Sequence, residues 1–278
     1  MAGNADFWVR FWGVRGTVPC PGPEYLRYGG NTSCVEVMCG PNRLIFDAGT
    51  GIRALGASLT DQTGLHAHIF LTHTHIDHIN GFPFFRPAYD PKNCFQVWAG
   101  HLHQVNGGLQ GVLAGIMRAP IFPVPLDIMH ACIAFHDFAA GETFEPFEGV
   151  TLRTAPLNHP NGATGYRVDF AGKAICYVTD TEHRNGTLDE AILELIRGSQ
   201  IVIYDATYTE AEYPSYQGWG HSTWNQGAKL CEAAGAERLV AFHHDPDHDD
   251  ADLDRIAEQL DRGRPGSVMA REGLVLRP

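Results

Sequence analysis

The first part of the chain carries apolar patterns that are typical of β-strands. Residues 7–18 open with Phe-Trp-Val-Arg-Phe-Trp, an alternation that predicts a strand, and residues 32–38 and 43–46 predict two more. Three strands in succession favour a meander in an antiparallel-rich sheet rather than alternating strand and helix units. A helix is predicted next, ending near residue 59, and the uninterrupted apolar run at residues 68–72 predicts a buried strand.

In the rest of the chain, an irregular segment with short strands is followed by regular alternation of strands and helices. Residues 104–126 are apolar but broken by Gly and Pro, which favours a helix followed by packed extended chain; the alternative is a pocket wall or a dimer contact. Further short strands are predicted at residues 96–100, 133–135, 150–155 and 165–170. Strands at 174–178, 200–204 and 239–242 then alternate with helices at 188–197, 223–235 and 251–262. No linker or fixed repeat divides the chain, so we expect a single domain over residues 1–278.

Composition and charge narrow the class of protein. The 278 residues are 44% hydrophobic and 19% charged, an ordinary globular balance. The net charge is -12 and the 20 Lys and Arg are scattered, so a nucleic-acid duplex would be repelled. The sequence shows no signal peptide and no run of membrane-spanning length. Seven dispersed cysteines without a Cys-x-x-Cys pair predict reduced thiols, and we expect a cytoplasmic protein with no membrane partner.

The strongest chemical signal follows the apolar run at residues 68–72. It reads His73-x-His75-x-Asp77-His78, four metal-ligating side chains within six residues. Imidazole and carboxylate together suit zinc or another borderline divalent ion. Alternation places the first two on one side of the chain, and the other two come from the following turn, so the motif begins two metal sites. The alternative is a His-rich surface turn, which does not explain the carboxylate.

Two other motifs are weaker than they first look. The run Gly49-x-Gly51-x-x-Ala54 after a strand resembles a dinucleotide fingerprint, but the acidic residue expected about 20 positions later is missing. A tight turn that brings Asp47 beside the histidines, as a partner of a metal ligand, explains the run better. Residues 245–249 open like a calcium loop but lack its Gly and its final Glu, which favours an acidic start to the last helix.

Three later strands each end in a further candidate ligand. His159 lies just past the strand that begins at residue 151, and Asp180 ends the strand that begins at residue 174. The strand at 239–242 is followed directly by His243 and His244, so one or both of these imidazoles are candidate ligands. A single polar residue at a strand end is usually a cap, but three of them, all His or Asp, indicate a larger metal site.

On these residues the chain resembles the metallo-β-lactamase-fold hydrolases, and among them the ribonuclease Z-like and phosphoribosyl cyclic phosphodiesterase-like phosphodiesterases. The resemblance rests on the four-ligand motif and on the strand-end residues that follow it in order. It implies an α/β (α+β) fold, a four-layer αββα sandwich with the metals at one edge. It also implies two divalent ions, zinc before manganese or iron, held by seven ligands: His73, His75, Asp77, His78, His159, Asp180 and His243.

The same resemblance assigns roles within the site. One ion is expected on the first two histidines and His159, the other on Asp77, His78 and His243, with Asp180 bridging. The two ions would share a hydroxide that attacks phosphorus. Residues 201–208 and 220–228 resemble the stretches that carry a catalytic histidine and its acidic partner in ribonuclease Z. His221 is therefore the expected general acid, Asp205 its partner, and Asp77 counts among the catalytic residues as well as the ligands. The alternative for His221 is a helix start capped by Ser222.

Departures from ribonuclease Z narrow the expected substrate. Only residues 181–204 separate Asp180 from Asp205, so the basic tRNA-gripping arm of the long enzymes is missing. Segments 11–17, 28–34 and 242–246 instead resemble small bacterial relatives assigned to cyclic phosphodiesters. We therefore expect a phosphodiesterase for a cyclic nucleotide or cyclic ribose phosphate, acting as a homodimer. The alternatives are an ester, lactone or thioester hydrolase, a ribonuclease Z-like nuclease, and a metal-stabilised binding or sensor module.

Overall fold

The computed structural model describes residues 6–184 and 186–278. Its strands in chain order are β1 (Phe7–Gly13), β2 (Cys34–Cys39), β3 (Asn42–Phe46), β4 (His66–Leu71), β5 (Cys94–Ala99), β6 (Cys132–Asp137), β7 (Thr143–Phe147), β8 (Val150–Leu157), β9 (Ala163–Phe170), β10 (Lys173–Val178), β11 (Ile201–Asp205), β12 (Arg238–Phe242), β13 (Val268–Met269) and β14 (Val275–Leu276). Its α-helices are α1 (Gly51–Ser58), α2 (Ile76–Ile79), α3 (Gly108–Ile116), α4 (Glu190–Ile196), α5 (Trp224–Ala234) and α6 (Asp250–Gly263). In the part of the chain so described, none of the helices is both long and apolar enough to cross a membrane.

The strands form two mixed seven-stranded sheets. The first has the order β14-β1-β2-β3-β4-β5-β6, and the second β13-β12-β11-β10-β9-β8-β7. The predicted meander is correct for β1 to β3, which pair antiparallel. It is wrong beyond β3, because α1 crosses over between β3 and β4, and β3 to β6 then run parallel. The second sheet repeats this division, with β7 to β10 antiparallel and β10 to β13 parallel.

Alternating side chains of the central strands fill different cores, which produces four layers. In β3, Leu44 and Phe46 belong to the core between the sheets, whereas Ile45 belongs to the core under α1 and α3. In β11, Ile203 faces the other sheet and Val202 faces the core under α4, α5 and α6. Strands buried on both faces read as continuous apolar runs, which is why they were recognisable in the sequence. The predicted αββα sandwich is confirmed.

Two regions differ in detail from the prediction. Within the irregular segment 104–126, α3 forms as the favoured interpretation required, and the remainder is turns. Strand β7 was not predicted and contains Pro146, which disfavours a strand; β7 is an edge strand, where a missing backbone donor is tolerated. The segment after α6 divides between the sheets, since β13 pairs with β12 and β14 pairs with β1.

The parallel parts of both sheets direct their carboxyl ends to the same edge of the sandwich. Polar residues follow directly after β3, β4, β10 and β12 at this edge, and Asp205 is the last residue of β11. Ligand sites in open α/β sheets form beyond the carboxyl ends of parallel strands. The topology therefore brings together residues that are far apart in sequence.

Candidate metal centre and active site

Six of the seven predicted ligands meet at this edge in two groups of three. In the first, ligand atoms of His73, His75 and His159 lie within 4.8 Å of one another, and in the second those of Asp77, His78 and His243 do so. The His73 and His75 side chains extend from the loop after β4 rather than from the strand itself, and the other two motif residues lie on the short helix α2 rather than in a turn.

Asp180 lies between the two groups. Its Oδ1 is 3.3 Å from His243 Nε2 and 3.7 Å from His73 Nε2, and its Oδ2 is 3.3 Å from His78 Nε2. Each oxygen therefore faces imidazole nitrogens, and the carboxylate reaches both groups at once. This is the position that a bridging ligand would require.

Four of the five histidines are oriented by a hydrogen bond at Nδ1, which leaves Nε2 facing the centre of the site. The partners of Nδ1 are Thr72 Oγ1 for His73 at 3.1 Å, Asp47 Oδ2 for His78 at 2.9 Å, the Gly220 carbonyl for His159 at 2.8 Å, and Thr207 Oγ1 for His243 at 3.0 Å. Such partners fix the ring orientation and tautomer of metal-binding histidines. The prediction that Asp47 lies beside the histidines is confirmed.

His75 is oriented the opposite way. Its Nδ1 lies 3.1 Å from His159 Nε2, and its Nε2 lies 3.4 Å from Asn161 Nδ2 at the rim. His75 therefore presents Nδ1 to the centre, whereas the other four present Nε2. The neighbouring Asp77 carboxylate accepts a hydrogen bond from the Thr17 backbone N–H at 2.8 Å.

The electrostatics of this cluster fit a divalent cation. Burial lowers the pKa of His73, His75 and His159, which keeps these imidazoles neutral and able to ligate. Burial opposes ionisation of Asp180, but the surrounding imidazoles hold its pKa well below the usual range. His73 Nε2 is buried with no hydrogen-bond partner among the described residues. A nitrogen and oxygen donor set of this kind suits zinc, manganese or iron.

Backbone strain is concentrated at the strand ends that carry these residues. Asp47, Asp180 and His243 adopt φ values of 61°, 58° and 63°, a left-handed conformation that residues other than glycine rarely adopt. Two glycines make room for the rings. A Cβ on Gly16 would lie 2.3 Å from the His243 ring, and one on Gly220 would lie 2.2 Å from His159 Nδ1.

His221 contacts this cluster but is oriented by a carboxylate outside it. Its Nδ1 donates to Asp205 Oδ2 at 2.9 Å, so its Nε2 is the nitrogen free to face a substrate. Burial alone would lower the pKa of His221, but Asp205 raises it to about 9. The predicted capping by Ser222 in the alternative interpretation is wrong, because Thr223 caps α5 through the Gln226 N–H, whereas Ser222 Oγ bonds His183 and Tyr204.

His244 points away from the cluster. Its Nε2 donates to the Ala270 carbonyl at 2.8 Å, and burial lowers its pKa to about 3. The acidic segment that follows it begins α6, where Asp249 forms a capping box with Asp252. The interpretation of that segment as a helix start rather than a calcium loop is therefore supported by its geometry.

A cleft of about 460 Å³ opens over the cluster. It is lined by Thr17, His75, Ile76, Asp77, His159, Asp180, Tyr208, Tyr216, Trp219, His221, Asp245, Pro246 and Asp247. Sequence reasoning missed its aromatic side, which consists of Tyr208, Tyr216 and Trp219. It also missed Thr72 and Thr207, because isolated threonines next to ligands have no spacing signal. The three aromatics within a dozen residues were the one visible hint.

Comparison with known proteins places this fold and site in a family. Residues 42–244 match the model of the beta-lactamase superfamily domain, which is most of the 278 residues. The chain belongs to this superfamily. The family predicted from the four-ligand motif is therefore confirmed.

Individual relatives are more distant. A ribonuclease Z from Brevibacillus brevis is 32% identical over 126 residues, a match that covers 44% of this chain and only 38% of that enzyme. A ribonuclease BN from Erwinia tasmaniensis is 23% identical over 274 residues, covering 82% of this chain and 87% of the relative.

Solved structures agree on the architecture. The short form of human tRNase Z superposes with a TM-score of 0.71 at 19% identity, covering 97% of this chain and 98% of the other. A diphosphatase of the PhnP family superposes with a TM-score of 0.70 at 19% identity, covering 98% of both chains. At these identities the likeness establishes the fold.

Proposed function

We propose that this chain is a dinuclear metal phosphodiesterase that hydrolyses small cyclic phosphodiesters with His221 as the general acid. Membership of the superfamily, together with the His and Asp cluster, makes it a metal-dependent hydrolase; the number of metals, the substrate and the acid are our proposal. The observation that carries it is the pairing of His221 with Asp205 beside seven convergent ligand side chains.

The two groups of ligand atoms suggest how the metals are held. His73, His75 and His159 would hold one ion, and Asp77, His78 and His243 the other, with Asp180 shared. When bound, such ions supply a hydroxide at neutral pH and neutralise charge on the phosphoryl oxygens. The direction of the His244 ring, away from the cluster, supports His243 as the ligand of the pair.

The chain's own residues would move the proton. Alkoxide leaving groups depart poorly without one, and a positioned general acid contributes about 10²–10⁴-fold. Asp205 holds the proton at His221 Nδ1 and stabilises the charged ring, so that Nε2–H can donate to the leaving oxygen. Asp205 itself accepts from the Thr207 hydroxyl at 2.8 Å, which fixes the carboxylate.

Charge and connectivity support a small substrate. The net charge is -12, and the segment 181–204 between the two aspartates contains α4 and most of β11 instead of a long basic arm. RNA processing is the second candidate, because the relatives named ribonuclease Z and ribonuclease BN match this chain. A carboxyl ester or thioester hydrolase is a third, but it would not need the His221 pair.

Metal content and a substrate screen test the proposal together. After reconstitution we expect about two metals per chain by elemental analysis, and Asp180→Ala should lose at least one. The metal-loaded protein should turn over cyclic mononucleotides, cyclic dinucleotides or cyclic ribose phosphates. It should leave aryl carboxyl esters and precursor tRNA nearly untouched. A single equivalent at saturating metal, or efficient tRNA trimming, would contradict it.

The homodimer rests on the resemblance and the cytoplasmic location on the dispersed cysteines, and both stay predictions. Sedimentation of the metal-loaded protein should give twice the monomer mass of 30.5 kDa. The apolar segment 104–126, in which Ile121 is exposed, is the proposed contact. A monomer at micromolar concentration would contradict the predicted homodimer, and segment 104–126 would then be a surface or pocket feature.

A further inference from the structure

Aromatic rings continue from His221 to the mouth of the cleft. The ring of Tyr208 lies 6.0 Å from that of His221, edge to face. Tyr216 stacks on Tyr208 with centroids 4.4 Å apart and planes 7° from parallel. Trp219 then meets Tyr216 edge to face at 5.5 Å. We call Tyr208, Tyr216 and Trp219 the aromatic series; it begins at the proposed acid and ends in solvent.

The indole at the end of this series is exposed to solvent, and hydrogen bonds hold the loop that carries it. Trp219 is 63% exposed, whereas each of the other four tryptophans is buried or partly buried. The loop that carries it is held on both sides, because the Glu182 carboxylate accepts from the backbone N–H groups of Gly218 and Gly220. A large apolar ring fixed at the rim of a polar cleft is a surface prepared for a ligand.

The charge of the cleft indicates what kind of ligand. Among the described residues that line it there is no Lys or Arg, and Asp245 and Asp247 are acidic. Proteins bind the phosphates of a polyanionic backbone with cationic side chains, and the described lining of this cleft contains no such side chain. A ligand that carries one phosphodiester group at the metals and a neutral planar group elsewhere would avoid that conflict.

We propose that the cleft binds a phosphodiester whose leaving oxygen belongs to a nucleoside, and that the unpaired base stacks on Trp219. This inference rests on the proposed function and chooses, within it, nucleotides over base-free sugar phosphates. The reason is geometric. His221 would donate its proton to the leaving oxygen, so the leaving group would lie beside His221 and extend along the aromatic series towards Trp219. Any nucleobase has a π face that can stack on an indole, so a preference among bases is not required.

Paired substrates test the stacking step. One is 3′,5′-cyclic AMP, and the other is the 3,5-cyclic phosphate of 1-deoxyribose, the same sugar phosphate without a base. Trp219→Ala should raise KM for the nucleotide about 5- to 150-fold, the usual effect of removing one base–aromatic stack, with kcat nearly unchanged. KM for the base-free substrate should not move. Trp219→Phe should recover most of the loss, and Leu26→Ala, which removes an exposed apolar side chain outside the cleft, should change KM for neither substrate.

A binding measurement separates this inference from the proposed function. AMP should quench the indole fluorescence of the wild-type metal-loaded protein, and Trp219→Phe should abolish that quenching. Quenching without turnover of any phosphodiester would overturn the proposed function and support the stacking site. Turnover with equal KM for both substrates in wild type and Trp219→Ala would overturn the stacking site and leave the phosphodiesterase intact.

Discussion

Each sheet contributes one buried aspartate that organises histidines of the site, and the two networks differ in what they support. In the Asp47 network (Asp47, Thr72, His73 and His78), the carboxylate accepts from His78 directly at 2.9 Å and from the Thr72 hydroxyl at 3.0 Å. That hydroxyl in turn lies 3.1 Å from His73 Nδ1. Both histidines are proposed metal ligands.

The Asp205 network (Asp205, Thr207, His221 and His243) repeats this arrangement in the second sheet. The carboxylate accepts from His221 directly at 2.9 Å and from Thr207 at 2.8 Å, and the threonine lies 3.0 Å from His243 Nδ1. Here only one of the two histidines is a proposed ligand. The other faces the cleft and has its pKa raised to about 9.

The comparison teaches that one local device can serve two purposes. A buried carboxylate with a threonine relay orients a pair of imidazoles in either sheet. In the Asp47 network both rings are proposed ligands, so the network would contribute to metal affinity. In the Asp205 network one ring faces the cleft, so the same arrangement would also control the proton of the proposed acid. The following variants distinguish these two uses.

The largest effect is expected from removing a ligand supported by the Asp205 network. His243→Ala should lose one metal and reduce turnover by more than the about 10- to 100-fold that is typical of outer partners. His244→Ala is the matched control, because it removes the adjacent imidazole, which bonds Ala270. The control should keep both metals by elemental analysis, although it should lower stability. The reverse result would move the ligand by one residue.

Removing His221, which is not a proposed ligand, should leave the metals in place. His221→Ala should lower the rate on an alkyl phosphodiester about 10²–10⁴-fold. The loss should shrink sharply for a p-nitrophenyl ester, because that leaving group departs without a proton. Steady-state rates on both esters test the role of the proton, and elemental analysis tests whether the metals are retained. Equal losses on both esters, or loss of a metal, would mean that His221 is not the acid.

Neutralising the two aspartates should have smaller and different effects. Asp47→Asn should weaken metal binding about 10- to 100-fold in competition with a chelator, since both its histidines are proposed ligands. Asp205→Asn should slow the alkyl ester more than the p-nitrophenyl ester, though by less than His221→Ala does. If both variants lost the same amount of metal and had the same ratio of rates on the two esters, the two networks would be equivalent.

The smallest effects belong to the two threonines. Thr72→Val and Thr207→Val keep the side-chain shape and remove the hydroxyl relay. Each should weaken metal affinity about 10-fold, the low end for an outer partner. Neither should change the preference between the two esters, because the direct bond from His221 to Asp205 is intact. A change in ester preference with Thr207→Val would show that the relay also acts on the acid.

The sequence predicts those parts of the site whose residues are adjacent in the chain or directly follow a recognisable strand. The motif at residues 73–78 is contiguous, and Asp180 and His243 end apolar strands, so the pattern alone marked them. The parallel pairing of β3 with β4 was missed, because a helix between two predicted strands does not by itself reveal their direction. The aromatic series was missed because stacking is a property of the folded loop.

The left-handed conformations of Asp47, Asp180 and His243 bear on how this site could change during evolution. Each costs on the order of 1–3 kcal/mol for a residue with a Cβ. In the metal-free protein, Asp180→Gly should therefore melt at a higher temperature than Asp180→Ala, although both lack the carboxylate. Selection for thermal resistance alone would thus favour glycine at these three positions, whereas selection for the proposed activity would retain the side chains.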